Sequence, residues 1–193
     1  MNPMNHRLVY TVGASGAGKD SLLGWLRAHL SADAPVAFAQ RTVTRAADAG
    51  GEAHEACSEA QFEQWRDAGL FALHWQANGL HYGVRHTALA PLAQGHCVFV
   101  NGSREYLPEA QRQRPGLTVL YVTTTPETLR QRLLARGRED GPEMAVRLAR
   151  ALAWQLPAGH GGIEVVNDGS LEDAGERLLL ALRQRFGATH FTP

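Results

Sequence analysis

Lysine is almost missing from this chain. Of the 19 basic residues among its 193, 18 are arginine and the one lysine is Lys19. A lone ammonium marks a place where a guanidinium will not serve, because a compact point charge enters a ring of backbone N–H groups that a planar fork cannot. Cysteine is scarce too. Cys57 and Cys97 stand far apart with no CxxC or CxxH spacing, which excludes a disulfide framework and a zinc site and predicts two free thiols in a reducing cytoplasm. Net charge is absent: 19 acidic residues balance the 19 basic ones, so there is no global field to gather nucleic acid or an anionic membrane. No apolar run nears the roughly 18 residues that span a bilayer. The first seven residues hold no basic segment leading into an apolar stretch, so no export signal is expected. What remains, 44% apolar and 20% charged, predicts a soluble cytoplasmic chain with one core over 1–193.

Along the chain, apolar β-branched runs alternate with amphipathic stretches. Strands are predicted at Leu8–Val12, Val36–Gln40, Val98–Val100, Leu117–Thr124 and Ile163–Val166. Helices are predicted at Lys19–Leu30, Ser58–Ala68, Pro126–Arg136, Glu143–Trp154 and Ser170–Phe186, the second opened by a Ser58/Gln61 capping box. This alternation predicts an α/β fold of three layers, a mostly parallel sheet covered by helices on both faces. Two segments stand apart. Residues 41–86 run from polar to a helix and then to two short strands about an Asn78-Gly79 turn, which reads as a small lobe inserted into a core of 1–40 and 87–193. Residues 136–147 join two helices through glycine, proline and charge, as a mobile lid would.

The lone lysine closes Gly13-Ala14-Ser15-Gly16-Ala17-Gly18-Lys19, a GxxxxGK pattern between the first strand and the first helix. Glycines let backbone N–H groups curl around phosphate oxygens, and the helix N-terminus adds its positive dipole end. The segment from Gly13 through Ser21 is therefore expected to bind ATP, with Lys19 on the β and γ phosphates. Asp20 stands where a Ser or Thr normally offers magnesium a hydroxyl. Its carboxylate can take the Mg²⁺ directly or through water; alternatively Ser21 supplies the oxygen, or Asp20 only caps the helix.

A phosphotransferase needs an acceptor site. Arg41-Thr42-Val43-Thr44-Arg45 can present two planar cations and two hydroxyls to a phosphorylated acceptor, with Arg41, Thr44 and Arg45 as candidates. Tyr82 can add a phenol or simply pack a strand. In the lid, Arg136, Arg138 and Arg147 are expected to close over the transferring phosphate, neutralise its charge and exclude water.

Together these landmarks resemble the guanylate kinase superfamily of P-loop kinases: the GxSGAGK loop, a Thr-rich segment ending in Arg45, Tyr82-Gly83, Arg132 to Gly137 and Arg147-Leu148. The resemblance spans nearly the whole chain, and departs where guanylate kinases read guanine. Arg41 replaces a serine, His74 a glutamate, and Asn101 lies near the place of an aspartate; Asp48 replaces an arginine, and His54 occupies the region of a phosphate-binding tyrosine. Within the superfamily the chain is most similar to the ribose 1,5-bisphosphate phosphokinases of phosphonate degradation. The blocks that carry this are Gly16 to Leu23, Ala77 to Val84, Val100 to Arg104 and Asn167 to Leu171. The resemblance implies ATP-dependent phosphorylation of ribose 1,5-bisphosphate to 5-phospho-α-D-ribose 1-diphosphate with Mg²⁺, and an acceptor site that also draws on His54, Asn101 and Ser103. Guanylate kinase activity, or a catalytically silent module that binds a phosphorylated ligand, are the rival readings. Nucleic-acid and membrane partners are not expected; a homodimer stays open.

Overall fold

The computed structural model describes residues 4–46, 53–135, 148, 149, 153, 154, 156 and 161–192. In chain order, β1 (Leu8–Gly13) leads through the glycine loop into α1 (Lys19–His29), and β2 (Val36–Phe38) precedes β3 (Arg41–Val43) and β4 (Glu55–Ala56). Then come α2 (Glu59–Asp67), β5 (Phe71–Ala77), β6 (Leu80–Arg85), a 3-10 segment (His86–Gln94), β7 (Cys97–Asn101) and α3 (Leu107–Gln113). The chain finishes with β8 (Thr118–Thr123), α4 (Pro126–Ala135), β9 (Ile163–Val166) and α5 (Leu171–Phe186).

Five strands form one all-parallel sheet in the order β2-β7-β1-β8-β9. At its centre β1 is buried at every residue, as a parallel strand covered on both faces must be. Strand alternation divides its side chains between two cores. Val9 joins Leu22, Leu26, Phe99, Leu120 and Leu178 on the face that carries α1 and α5. Leu8, Tyr10 and Val12 join Val98, Val100, Leu107, Leu73 and Trp75 on the other, where side chains of the second sheet meet the first.

The second sheet, ordered β4-β3-β6-β5, lies within Arg41–Arg85. The β5–β6 hairpin turns at Asn78 and Gly79, whose φ values of 50° and 73° suit the two-residue loop that the Asn-Gly pair favours. The Ser58 hydroxyl accepts from Gln61 N at 3.2 Å and the Gln61 side chain accepts from Ser58 N at 3.0 Å, completing the capping box of α2.

Several features depart from the sequence reading, among them the unanticipated strand Glu55–Ala56. The second strand stops at Phe38 and not Gln40, because register with β7 runs out at Phe38↔Phe99 and the chain then crosses to the second sheet. Arg41–Val43, given no secondary structure in the sequence reading, is a strand; three residues are too few to show a period. The helix α3 was not anticipated, since its buried Leu107 and Ala110 fill barely two turns. The helix expected at Glu143–Trp154 falls largely outside the described residues.

No helix among the described residues is long and apolar enough to cross a membrane. Cys57 and Cys97 are free thiols, and no group of three or more potential metal-ligating His, Cys, Asp or Glu forms among the described residues.

Where α1 crosses α5, a Cβ on Gly175 would fall within the Trp25 ring. Trp25 cannot yield easily: its indole N–H donates to Glu172 at 2.8 Å and its ring stacks on His29 at 3.9 Å. Gly175→Leu is therefore expected to cost roughly 3 kcal/mol through overpacking, about 6–12 °C in Tm at this chain length. A melt within 2 °C of the native protein contradicts this packing.

The second sheet carries its own ion pair. Arg85 donates twice to Glu55, at 2.7 and 2.9 Å, and Thr42 donates to the same carboxylate at 2.6 Å. The Arg85 hydrogen bonds hold Glu55 below its ordinary value of 4.5, against the upward push of burial. The stabilisation is thus fully present above the unfolded carboxylate range and is lost as pH falls through the lowered folded value. Because the Glu55 side chain is partly exposed, Glu55→Gln is expected to cost no more than about 1 kcal/mol at pH 7. The gap in Tm between variant and native should close on acidification below about pH 4.

Candidate active site

The loop between β1 and α1 has the geometry of a phosphate cradle. Gly16 and Gly18 take left-handed φ values of 97° and 87°, which side chains resist. Space forbids side chains as well. A Cβ on Gly13 would strike the Val122 carbonyl, one on Gly18 the Asn167 amide, and one on Gly16 would lie 2.9 Å from Leu129 Cδ1. Lys19 folds back across the loop, its ammonium donating to the carbonyls of Gly13 at 2.9 Å and Ala14 at 3.2 Å.

The far rim is fixed by residues from three other elements. Asn167, buried directly after β9, donates through its amide to the Ala17 carbonyl at 2.8 Å, and Arg132 of α4 donates to the same oxygen at 3.4 Å. Asp168 accepts from the Thr124 hydroxyl and the Thr125 N–H, both at 2.6 Å. Burial pushes its pKa up, but these hydrogen bonds prevail and hold it below the usual carboxylate range. The β8–α4 and β9–α5 junctions are thereby tied together. Between them opens a cleft of about 370 Å³ lined by Gly16, Gly18, Ser21, Arg132, Asn167 and Leu171, within the size of small-molecule pockets. Sequence reasoning placed Asn167 in a block that carries the family resemblance but gave it no role, because the shared Ala17 oxygen is visible only in three dimensions. Arg132, noted in the sequence as part of the Arg132 to Gly137 landmark, supports the loop from α4.

Asp20 sits in the first turn of α1, exposed, where a carboxylate suits the positive end of the helix. The amide of Asn101, at the end of β7, donates to its Oδ1. Asn101 is 4% exposed, so a buried donor holds an exposed carboxylate beside the cradle. Asp20 and the neighbouring Ser21 hydroxyl are hard oxygen donors at a helix N-terminus next to a phosphate loop. That donor set fits Mg²⁺.

The acceptor candidates divide into groups. Arg41 lies over the Tyr82 ring at 5.2 Å, Tyr82 stacks on Trp75 at 5.5 Å, and Trp75 stacks in turn on Tyr106 at 5.5 Å. The Tyr82 ring is thus part of a column joining the second sheet to the residue that opens α3. Arg45 and His54 form a closed pair: Arg45 Nη2 donates to His54 Nδ1 at 3.3 Å while His54 Nε2 donates to the Arg45 carbonyl at 3.2 Å. A neutral imidazole with its proton on Nε2 satisfies both. Arg45 Nε is buried with no hydrogen-bond partner among the described residues. The Thr44 hydroxyl accepts from His81 N at 2.9 Å, extending the β3–β6 pairing. Ser103 N donates to the Tyr10 hydroxyl at 3.0 Å, and Gly102 packs so closely on the Tyr10 ring that a Cβ would enter it. Burial pushes the Tyr10 phenol far up, so it stays protonated. Asn101, expected on the acceptor side, hydrogen-bonds to Asp20 in the first turn of α1. Arg136, Arg138 and Arg147 lie outside the described residues.

The parallel sheet, the cradle at the end of β1 and the lysine folded across it define a P-loop kinase of the guanylate kinase-like class. A crystal structure of guanylate kinase from Anaplasma phagocytophilum superposes with a TM-score of 0.64 at 16% identity, covering 95% of this chain and 88% of that one. No family model matches the chain. Among curated proteins, the ribose 1,5-bisphosphate phosphokinase PhnN of Thiobacillus denitrificans is 47% identical over 177 residues, 91% of this chain and 92% of that protein. The PhnN of Janthinobacterium sp. (strain Marseille) is 44% identical over 182 residues, which make up 94% of this chain and 40% of that longer protein. The chain belongs to the ribose 1,5-bisphosphate phosphokinase (PhnN) family.

Proposed function

We propose that the chain transfers the γ phosphate of ATP to the 1-phosphate of ribose 1,5-bisphosphate in the cytoplasm, forming 5-phospho-α-D-ribose 1-diphosphate and ADP. The reading rests above all on the 47% identity, across nine-tenths of both chains, to a relative named for the phosphorylation of that substrate. The described residues supply groups suited to the donor and acceptor sides of that chemistry.

On the donor side, the cleft flanked by Arg132, Asn167 and Leu171 takes the nucleoside, and the triphosphate runs along the loop from Gly13 to Gly18. Lys19 exchanges its two carbonyl acceptors for β and γ phosphate oxygens. Mg²⁺, held by Asp20 or Ser21, supplies neutralisation of the same oxygens when bound. On the acceptor side, Arg45 and Arg41 bind the sugar phosphates, His54 keeps the Arg45 fork in one orientation, and Thr44, Tyr82 and Ser103 complete the wall. Arg136, Arg138 and Arg147 contribute further positive charge to the transferring group. A phosphate oxygen of the acceptor, already ionised near neutral pH, attacks the γ phosphorus in line. No protein base is needed, so positioning and charge neutralisation supply the acceleration.

Coupled ADP release with ribose 1,5-bisphosphate and with GMP tests the acceptor. Turnover on the bisphosphate should exceed that on GMP by about 100-fold or more, since a site built for polar groups rejects a ligand that leaves them unpaired. Faster turnover on GMP overturns the assignment.

A further inference from the structure

The two residues that depart from the usual phosphate-loop pattern touch each other. In P-loop NTPases generally, the cation is held by the hydroxyl of the residue after the lysine and by an aspartate from a strand. Here the residue after Lys19 is the carboxylate Asp20, and the amide Asn101 ends β7, the strand beside β1. Their meeting follows from the sheet. Val9 and Phe99 are register partners that face α1, and Thr11 and Asn101, two residues further along each strand, are register partners that face the same way. Asn101 is thereby aimed at the first turn of α1, where its amide donates to Asp20 Oδ1.

We propose that Asp20 and Asn101 have exchanged the chemistry usually placed at these two points, so that the metal-binding carboxylate rides on α1 and Asn101 is its positioning residue. The proposal rests on the donor-site reading above, not on the identity of the acceptor. Asp20 is exposed and would otherwise sample several rotamers; a buried amide fixes it without adding charge. A carboxylate at 101 would instead set two like charges together beside a triphosphate. Outer hydrogen-bond partners of metal ligands commonly govern affinity by about 10–100-fold, and Asn101 is such a partner.

The test uses Mn²⁺ with ADP, the bound ion being followed by electron paramagnetic resonance in the intact chain. Asp20→Ser should weaken Mn²⁺ binding about tenfold or more, and Asn101→Ala about tenfold. Adding Asn101→Asp to Asp20→Ser puts the hydroxyl after the lysine and the carboxylate on β7, and should restore Mn²⁺ affinity to within about threefold of native. Affinity for ADP without metal should change less than about twofold throughout, which a general loss of structure would not permit. The inference is overturned if the double variant binds Mn²⁺ as weakly as Asp20→Ser, or if Asn101→Ala binds it like the native chain. Asn101→Asp is isosteric, so the double-variant arm stands even if Asn101→Ala fails to fold. If the native chain with ADP holds no Mn²⁺, the donor-site reading itself fails, and the inference with it.

Discussion

Lys19→Ala is expected to lower kcat/KM by about 10³-fold or more while leaving Tm within 2–3 °C of native. A preorganised donor to developing phosphoryl charge is worth about 10²–10³-fold in comparable sites, and Lys19 adds a full positive charge. The tip of the side chain donates to the carbonyls of Gly13 and Ala14. Truncation therefore removes two hydrogen bonds at the surface of the loop and opens no core cavity. Lys19→Arg is the sharper variant. Everywhere else this chain uses arginine, so charge alone cannot explain the lysine. The cradle is closed in by Val122, Leu129 and Asn167, each near enough to obstruct a Cβ on one of its glycines, and a planar fork should not fit. Activity of Lys19→Arg within tenfold of native would contradict this account of the loop.

Arg45→Ala is expected to raise KM for the acceptor about 100-fold, some 2.7 kcal/mol, with ATP binding unchanged. Charge-assisted fork contacts to phosphate are among the stronger hydrogen bonds, and Arg45 is held ready by His54 on one edge while its Nε is buried with no hydrogen-bond partner among the described residues. Arg45→Lys should recover little, because an ammonium has no second edge to offer. Steady-state kinetics with each substrate varied in turn separates the two sites: an Arg45→Ala defect in ATP binding and not in the acceptor would place Arg45 on the wrong side.

The parts of the fold legible in the sequence are those with a long period or a fixed local chemistry. The buried strand β1, the GxxxxGK loop, the Ser58/Gln61 capping box and the Asn78-Gly79 turn each announce themselves within a few residues. Short strands of polar composition do not: unlike the apolar Val36–Phe38, Arg41–Val43 was not read as a strand and Glu55–Ala56 passed unnoticed. Contacts across large sequence separation are silent in the same way. Asn167 reaches Ala17 over 150 positions and Asn101 reaches Asp20 over 81, and neither pairing leaves a mark on composition or spacing. Asn101 illustrates the consequence. Its polarity suggested a place for the acceptor, and the structure adds a contact no spacing announced: strand register turns it toward α1, where it meets Asp20.

The central claim concerns one bond, a new phosphoanhydride on the 1-phosphate of a ribose bisphosphate, and phosphorus NMR observes it directly. Incubation of the chain with ATP, Mg²⁺ and ribose 1,5-bisphosphate should convert the acceptor's 1-phosphate signal into a coupled pair of diphosphate resonances while its 5-phosphate signal persists and ADP accumulates in equal amount. ADP released with inorganic phosphate and no coupled pair, or a diphosphate formed on GMP but not on the ribose bisphosphate, would contradict it.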